Sequence, residues 1–394
     1  MISTMTPGNG ARRAPASGRP QAIVIGAGLA GLACAADLAA AGLAVAVVEA
    51  ADAPGGRMRT DRQDGFLLDR GFQVVNTSYP QMRRRIDLRA LRLRPFTPGM
   101  LLHTGQGRLR FTDPTRRPGR AADLLPGRLA SSRDLAALGI LSARDMLLPA
   151  RLIRRGRDEA TLDALARAGI SGELIERLFR PFLAGVFLED ELATSSRFFH
   201  LVWRSMLRGS LCLPRHGVQA VPAQLAAGLP PGTIRLETPV SSLTGDGVAL
   251  ADGTELAAPV VVVATGPTLL VDAERTILHT AVLTEVMPAY SGDGRALVCA
   301  TVLGGTASGQ DAAVRTRLAE LYETDTGGWE LLRAVQVDGA LPAMLPPHPL
   351  SRACRIGPGR FVCGDHRATG SVQGALASGA RAAREILAWR DQDR

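Results

Sequence analysis

Gly26, Gly28 and Gly31 stand in the run Gly26-Ala27-Gly28-Leu29-Ala30-Gly31, and an acid, Glu49, follows 18 residues after the last of them. Glycines and a carboxylate at this spacing can bind a dinucleotide. The first glycine lets the chain leave a strand through a tight turn. The second has no Cβ, so the backbone can approach a pyrophosphate closely. The third lets the next helix pack against the sheet. Free N–H groups at the helix start face the phosphates, and the helix dipole favours their charge. Glu49 can take both hydroxyls of an adenosine ribose. A carboxylate there repels a 2′-phosphate, so the site is not built for NADP.

Those residues need a strand, a helix and a second strand to hold them. Ala22 to Ile25 is a short apolar run, Leu32 to Ala41 a small-residue helix pattern, and Gly42 a natural C-cap. Val45 to Val48 is a second strand, ending on Glu49. The competing reading is a membrane span, since Ala22 to Val48 carries one charge, Asp37. Four interior glycines, the β-branched ends and that charge argue against it.

A second glycine pair with an arginine, Gly55-Gly56-Arg57, comes soon after the acid. The chain here resembles the FAD-binding oxidoreductases of the flavin amine oxidase and phytoene desaturase type. In that resemblance the loop folds over the pyrophosphate and the arginine adds charge to the helix N-terminus. Gly65 to Val75 is similar to the family's next element, a strand and turn leading to the flavin. Many desaturases have Gly-Pro at that turn; this chain has Gly71-Phe72. Near the C-terminus Arg360 to Cys363 reads as a strand, Gly364-Asp365 ends it, and a helix runs from Gly370-Ser371-Val372-Gln373-Gly374 to Trp389. Val372, Leu376, Ala380 and Ala383 share one helical face. This resembles the family's terminal Gly-Asp motif. It implies that Asp365 binds a ribityl hydroxyl and that the helix start at Val372 points at the flavin N1 and O2 edge. A positive dipole end there stabilises reduced flavin. It implies further that Gly370 and Gly374 leave room for the ring, and that Val240 pairs its backbone with the adenine. A glycine turn and a Gly-Asp motif more than 300 residues apart favour FAD over NAD. The FAD is expected to be non-covalent, because no cysteine stands where monoamine oxidases attach theirs.

The implied fold class is α/β: a Rossmann-like FAD-binding domain, a three-layer ββα sandwich, with an interleaved α+β substrate domain. Residues 1–20 are expected to be a disordered tail without an export signal. FAD-binding parts are expected at 21–76, 209–275 and 350–394, and substrate-domain parts at 77–208 and 276–349. In the first substrate part a hairpin is expected at Gly99 to His103 and Arg108 to Thr112. Helices are expected at Ser131 to Leu141, Ser142 to Arg154, Glu159 to Ala168 and Ser171 to Phe182. Thr233 to Val240, Thr280 to Val286, Ala296 to Leu303 and Glu330 to Val337 read as strands, Asp311 to Glu323 as a helix.

The cysteines, five in number and without a CxxC pair, indicate a reducing compartment with neither disulfides nor a zinc site. No lysine occurs among the 46 basic residues, which excludes Schiff-base chemistry. The histidines are His103, His200, His216, His279, His348 and His366. No two have metal-ligand spacing, and each reads as a surface or capping residue; His366, beside Asp365, is nearest the expected flavin edge. No catalytic acid or base stands out, and hydride transfer to flavin N5 requires none. The readings in play are a dehydrogenase or desaturase of an apolar isoprenoid- or tetrapyrrole-like substrate, a flavin amine oxidase acting on a small amine, and a non-catalytic FAD-holding protein. Only Tyr79, Tyr290 and Tyr322 could build an aromatic cage, which counts against the amine reading. Between Arg83 and Arg157 lie 18 arginines and 5 aspartates, a net +13 against +9 for the whole chain. Residues 142–157 set Met146, Leu147, Pro149 and Ile153 among arginines. The chain is expected to be cytoplasmic, with either peripheral contact to an anionic membrane or merely a solvated arginine face there. No nucleic-acid partner is expected, since no aromatics interleave with the arginines.

Overall fold

In the computed structural model, β-branched residues with buried faces assemble a six-stranded sheet in the order Ile234–Arg235, Val45–Val48, Ala22–Ile25, Val261–Val263, Arg360–Val362, Arg355–Gly357. Its strands run parallel except the last, which closes the edge antiparallel. The structure describes residues 19–104, 107–124, 130–264, 277–303, 311–337 and 340–392. Most of the expected N-terminal tail and the turn at 105–106 lie outside them.

Period-two alternation sorts the strand side chains onto two faces. Ala22, Val24, Val45 and Val47 join one buried cluster with the helices Leu29–Ala40, Ala220–Ala227 and Val372–Gln392. Ile23, Ala46, Val48 and Val261 point the other way, onto Val248 and Leu250. These last two belong to a three-stranded antiparallel sheet of Val240–Leu243, Gly247–Leu250 and Glu255–Ala257. The helices Leu29–Ala40 and Val372–Gln392 approach closely where a Cβ on Gly379 would collide with the Ala30 carbonyl.

A separate core gathers the helices Ser132–Leu147, Thr161–Arg167, Arg180–Phe187 and Ser196–Arg208 around Phe179, Phe199 and Trp203. The Asp145 carboxylate is fully buried there and takes His200 Nδ1 at 2.7 Å. The expected hairpin is present as Gly99–Thr104 and Gly107–Thr112.

Several expected elements fall differently. Thr233 to Val240 is not one strand. Glu237 adopts φ +50°, and the amides of Glu237 and Thr238 turn onto the carbonyls of Ala51 and Glu49. Pro239 has no N–H to continue a ladder, so the chain crosses from one sheet to the other. The break expected at Ser142 is absent; the helix runs on to Leu147 and stops before Pro149, as a pre-proline residue favours. The strand His279–Val282 pairs with Val298–Thr301, but Leu283–Val286 is a helical turn. Residues 331–337 form no regular element. A carbonyl in this stretch bonds a side chain instead, since Gln63 donates to Leu332 O, and just before it Arg315 donates to Trp329 O. The helices Pro80–Arg85 and Ser196–Arg208 were not anticipated.

Candidate functional site

The sheet delivers the glycine turn and the acid to one edge. Gly26 takes φ +99°, so the strand ends in the sharp turn expected of it. Gly31 packs on that turn, and a Cβ there would strike the Gly26 carbonyl. Gly28 is different: a Cβ built on it meets nothing within 4 Å. The helix Leu29–Ala40 starts with no side-chain cap and no acid in its first turn. Its N-terminal amides and dipole are therefore open to an anion beside Gly28.

Gly55 and Gly56 close over this turn. Gly55 N–H donates to Ala27 O at 3.0 Å, and a Cβ on Gly56 would sit 3.4 Å from Gly28 Cα. Both glycines have positive φ, 137° and 57°. Glu49 is held by Ala27 N–H at 2.6 Å on one oxygen and Ala51 N–H at 3.0 Å on the other. Each oxygen keeps a second acceptor direction for a ribose hydroxyl. Val240 lies in the small sheet, packed with Ile25 and Val48 in the cluster next to Glu49.

The other half-site comes from the C-terminal end. Gly364 ends its strand, and its N–H donates to Ser378 Oγ at 2.9 Å. The Asp365 side chain is 9% exposed and meets Arg57 Nη2 at 2.6 Å. The two half-sites thus touch through a charge-assisted bond spanning 308 residues of sequence. Arg57 Nη1 also donates to Ala340 O, and Gln73 Nε2 donates to Arg57 O at 2.7 Å. Beside Asp365, His366 Nδ1 is buried without a partner. Burial lowers the His366 pKa, so the ring favours its neutral form. Val372 packs partly buried at the helix start, whose first free amides meet Ser371: Gly374 N–H donates to Ser371 Oγ at 3.0 Å.

Two expectations fail here. Gly370 and Gly374 do not leave space for a ring. A Cβ on Gly374 would strike Thr369 O, and one on Gly370 would meet Met344 Cε at 3.0 Å. Both are small because protein, not ligand, occupies their side-chain space. Nor are the histidines all on the surface: His200 and His348 are buried. His348 Nε2 lies 3.2 Å from Ala368 O, a carbonyl, so it carries the proton.

Gly71 takes φ +93°, and Val337 lies 3.7 Å from where its Cβ would be. Phe72 stacks edge-on to Phe96 at 6.1 Å and tilts onto His279 at 4.5 Å between ring centroids. Phe72 precedes Gln73 and Leu341 follows Ala340, the two residues that bond Arg57, so these apolar side chains lie on segments next to the Arg57–Asp365 pair. Sequence spacing passed over Gln73 and His279. A glutamine next to a glycine turn is a usable signal; a single histidine far along the chain is not. Among the described residues, no group of three or more His, Cys, Asp or Glu could hold a metal.

The donor set fits a flavin dinucleotide. It offers an open glycine before an uncapped helix, a carboxylate at the end of the next strand, and a buried aspartate beside an unpartnered imidazole nitrogen. The comparisons with known proteins agree. The profile of the flavin containing amine oxidoreductases matches residues 29–281 and 270–387. The chloroplastic protoporphyrinogen oxidase of Nicotiana tabacum is 27% identical over 194 residues, 46% of this chain and 32% of that protein. The hydroxyneurosporene desaturase of Rhodobacter capsulatus is 57% identical over 53 residues, 14% of this chain and 11% of that protein. The aligned stretches thus span a third or less of these relatives' lengths. The structure of cyclohexylamine oxidase from Brevibacterium oxydans superposes with a TM-score of 0.65 at 18% identity, covering 96% of this chain and 100% of that one. That likeness is one of fold, an α/β architecture. The match along nearly all of the sequence after Gly28 places the chain in the flavin containing amine oxidoreductase family, a family of oxidoreductases, with FAD as the cofactor.

Proposed function

We propose that this protein is an FAD-dependent oxidoreductase that dehydrogenates an apolar, tetrapyrrole- or isoprenoid-like substrate. The observation that carries the reading is the meeting of the two half-sites, Arg57 on Asp365, with Phe72 and Leu341 on the adjoining segments that bond Arg57. Gly28 and the Leu29–Ala40 N-terminus would hold the pyrophosphate in a Rossmann-like FAD-binding domain, Glu49 the adenosine ribose, and Asp365 the ribityl chain. Arg57 would add positive charge, and Gly71 and Phe72 would face the ring. Bound FAD supplies a hydride acceptor at N5. The protein's own part is to position the substrate C–H, exclude water with the apolar side chains of the adjoining segments, and stabilise charge with the Val372–Gln392 dipole.

Two of the related proteins are named as a protoporphyrinogen oxidase and a hydroxyneurosporene desaturase, which supports this substrate class over a small amine. So does the placement of the tyrosines. Tyr290 is fully buried with its hydroxyl on Asp69, Tyr322 bonds Thr280, and Tyr79 packs on the core around the first helix. They are too dispersed to form an aromatic cage.

The purified protein should be yellow, and acid precipitation should release all of its FAD. Burial pushes the thiols of Cys212, Cys299 and Cys354 up to about 11, so none is a ready nucleophile for a covalent link. Anaerobic protoporphyrinogen should bleach the flavin, whereas benzylamine and putrescine should not. Bleaching by the amines alone would replace this reading with the amine oxidase one. A flavin that no compound in the panel reduces would favour a holding role.

Peripheral membrane contact in the cytoplasm belongs to the same proposal. Ile140 and Leu147 are 71% and 74% exposed, with Leu152 and Met146 beside them, among exposed Arg144, Arg151, Arg154 and Arg155. Ile153 is not part of this face; it is buried in the core. The neighbouring acids Asp134 and Asp145 are buried, so the exposed charge there is basic. No helix among the described residues is long and apolar enough to cross a membrane. Each arginine near an anionic surface contributes about 1 kcal/mol. Co-sedimentation with phosphatidylserine vesicles should fall as salt rises, and should drop further when Arg151, Arg154 and Arg155 become glutamine. Equal pelleting with neutral vesicles would leave only a solvated arginine face.

A further inference from the structure

His279 and Thr301 sit directly opposite each other in the antiparallel pair His279–Val282 and Val298–Thr301. Opposed residues share a face, so the ring and the hydroxyl project together, and His279 Nε2 lies 2.8 Å from Thr301 Oγ1. Phe72 covers the ring from one side at 4.5 Å. The helix Arg180–Phe187 covers it from another, and it does so with Gly185: a Cβ there would lie 2.5 Å from His279 Nδ1. A helix that offers glycine against an imidazole edge makes room for that ring. The next residue after Phe72, Gln73, donates to Arg57 O, and Arg57 pairs with Asp365. A continuous run of contacts therefore ties His279 to the cofactor half-sites.

We propose that His279 and Thr301 form an uncharged hydrogen-bonding pair on the substrate side of the FAD site, where they select an N–H or O–H group of a neutral substrate over an ammonium. The inference rests on the FAD reading for the position of the flavin. It adds the two residues that recognise the substrate's polar group.

The electrostatics agree with the geometry. Burial pushes the His279 pKa down to about 4, so the ring is neutral at physiological pH. The hydrogen bond to Thr301 can run either way, and each direction leaves both a donor and an acceptor of the pair for a ligand. Neither partner can compensate a desolvated cation. Burial, and after it the charge of Asp69, raises the Cys299 thiol on the same hairpin face, but the Asp69 oxygens are bonded to Thr60, Val218 and Tyr290, not to the pair.

The FAD-loaded full chain tests this in two arms. With 15N-labelled histidine, dithionite reduction of the flavin should shift the ring resonances of His279, assigned by their loss in His279→Phe. Flavin absorbance then reports binding of two size-matched probes at pH 7.5, indole and benzylamine. Indole should bind more tightly than benzylamine. Its Kd should rise at least tenfold in His279→Phe, which keeps the stack on Phe72, and in the near-isosteric Thr301→Val. His279→Asp should reverse the preference towards benzylamine. An unmoved His279 resonance, absent indole binding, or indole affinity unchanged in both variants would overturn the proposal. Failure of the FAD reading would look different, as a protein that carries no flavin. Failure of the porphyrinogen reading would leave both arms measurable.

Discussion

Gly28→Val should give a folded protein that has lost its flavin. Valine is tolerated by the protein itself: Gly28 has φ −71° and ψ 174°, an ordinary extended conformation, and its Cβ would meet nothing within 4 Å. The space it would fill is the space before the uncapped helix N-terminus. A branched side chain there bars the pyrophosphate from the free amides. Two charge-assisted bonds of about 1.5–3 kcal/mol each would go, a loss of roughly a hundredfold to ten-thousandfold in FAD affinity. Gly31→Val, three residues on, should behave differently. Its Cβ would collide with the Gly26 carbonyl, so the helix must leave the sheet and the protein should fail to fold. Circular dichroism and flavin content of the two variants decide the matter. If Gly28→Val keeps wild-type flavin, the anion site is elsewhere; if it unfolds like Gly31→Val, Gly28 is structural.

That contrast rests on backbone geometry, which is why the glycine turns were legible in the sequence and the meeting of distant segments was not. A backbone that must turn at φ +99°, or carry a helix against a carbonyl, admits glycine alone, so Gly26 and Gly31 announce their geometry from a single position. Asp365 was found because it directly follows a strand and a glycine. His279, Thr301, Phe72 and Gly185 lie in four separate segments, and nothing in their spacing says that they meet. Local pattern also misled where tertiary contact decides. Leu283–Val286 continues a β-branched run yet turns helical, because Leu283 and Met287 are buried beside Tyr290. Gly370 and Gly374 were legible as close contacts, but sequence cannot say whether the neighbour is ligand or protein. The helix Ser196–Arg208 was hidden because its bulky aromatics are also strand formers, and only the surrounding helices give them a helical core.

Asp69→Ala should be the most destabilising single change outside the apolar cores. The Asp69 carboxylate, at the end of the strand Phe66–Asp69, accepts three hydrogen bonds. Thr60 Oγ1 at 2.5 Å and Val218 N–H at 3.0 Å share one oxygen, and the Tyr290 hydroxyl at 2.7 Å takes the other. Removing the acceptor strands these three donors, at about 1–3 kcal/mol for each that water cannot reach. Against this stands the relief of no longer burying a carboxylate: desolvation raises the Asp69 pKa despite those bonds. A net loss of about 3–4 kcal/mol follows, read as a lower urea midpoint at unchanged slope. Asp69→Asn should cost about 1 kcal/mol or less. Its carbonyl can keep Thr60 and Val218, and its amide can donate to the Tyr290 hydroxyl, which turns to accept. Tyr290→Phe should lie between the two, since it leaves one carboxylate oxygen without a donor. The sign with pH separates this account from simple loss of packing. A carboxyl whose folded pKa is raised keeps its proton after the unfolded chain has released its own. Its contribution to stability is full below the ordinary value of 3.8 and is lost as pH rises through the folded value. The wild type should therefore lose ground to Asp69→Asn as pH climbs through that window, since asparagine has no proton to give up. A gap between the two that stays constant with pH would mean that Asp69 is not the buried, shifted acid described. Equal midpoints for Asp69→Ala and Asp69→Asn would mean that its hydrogen bonds do not hold the three segments together.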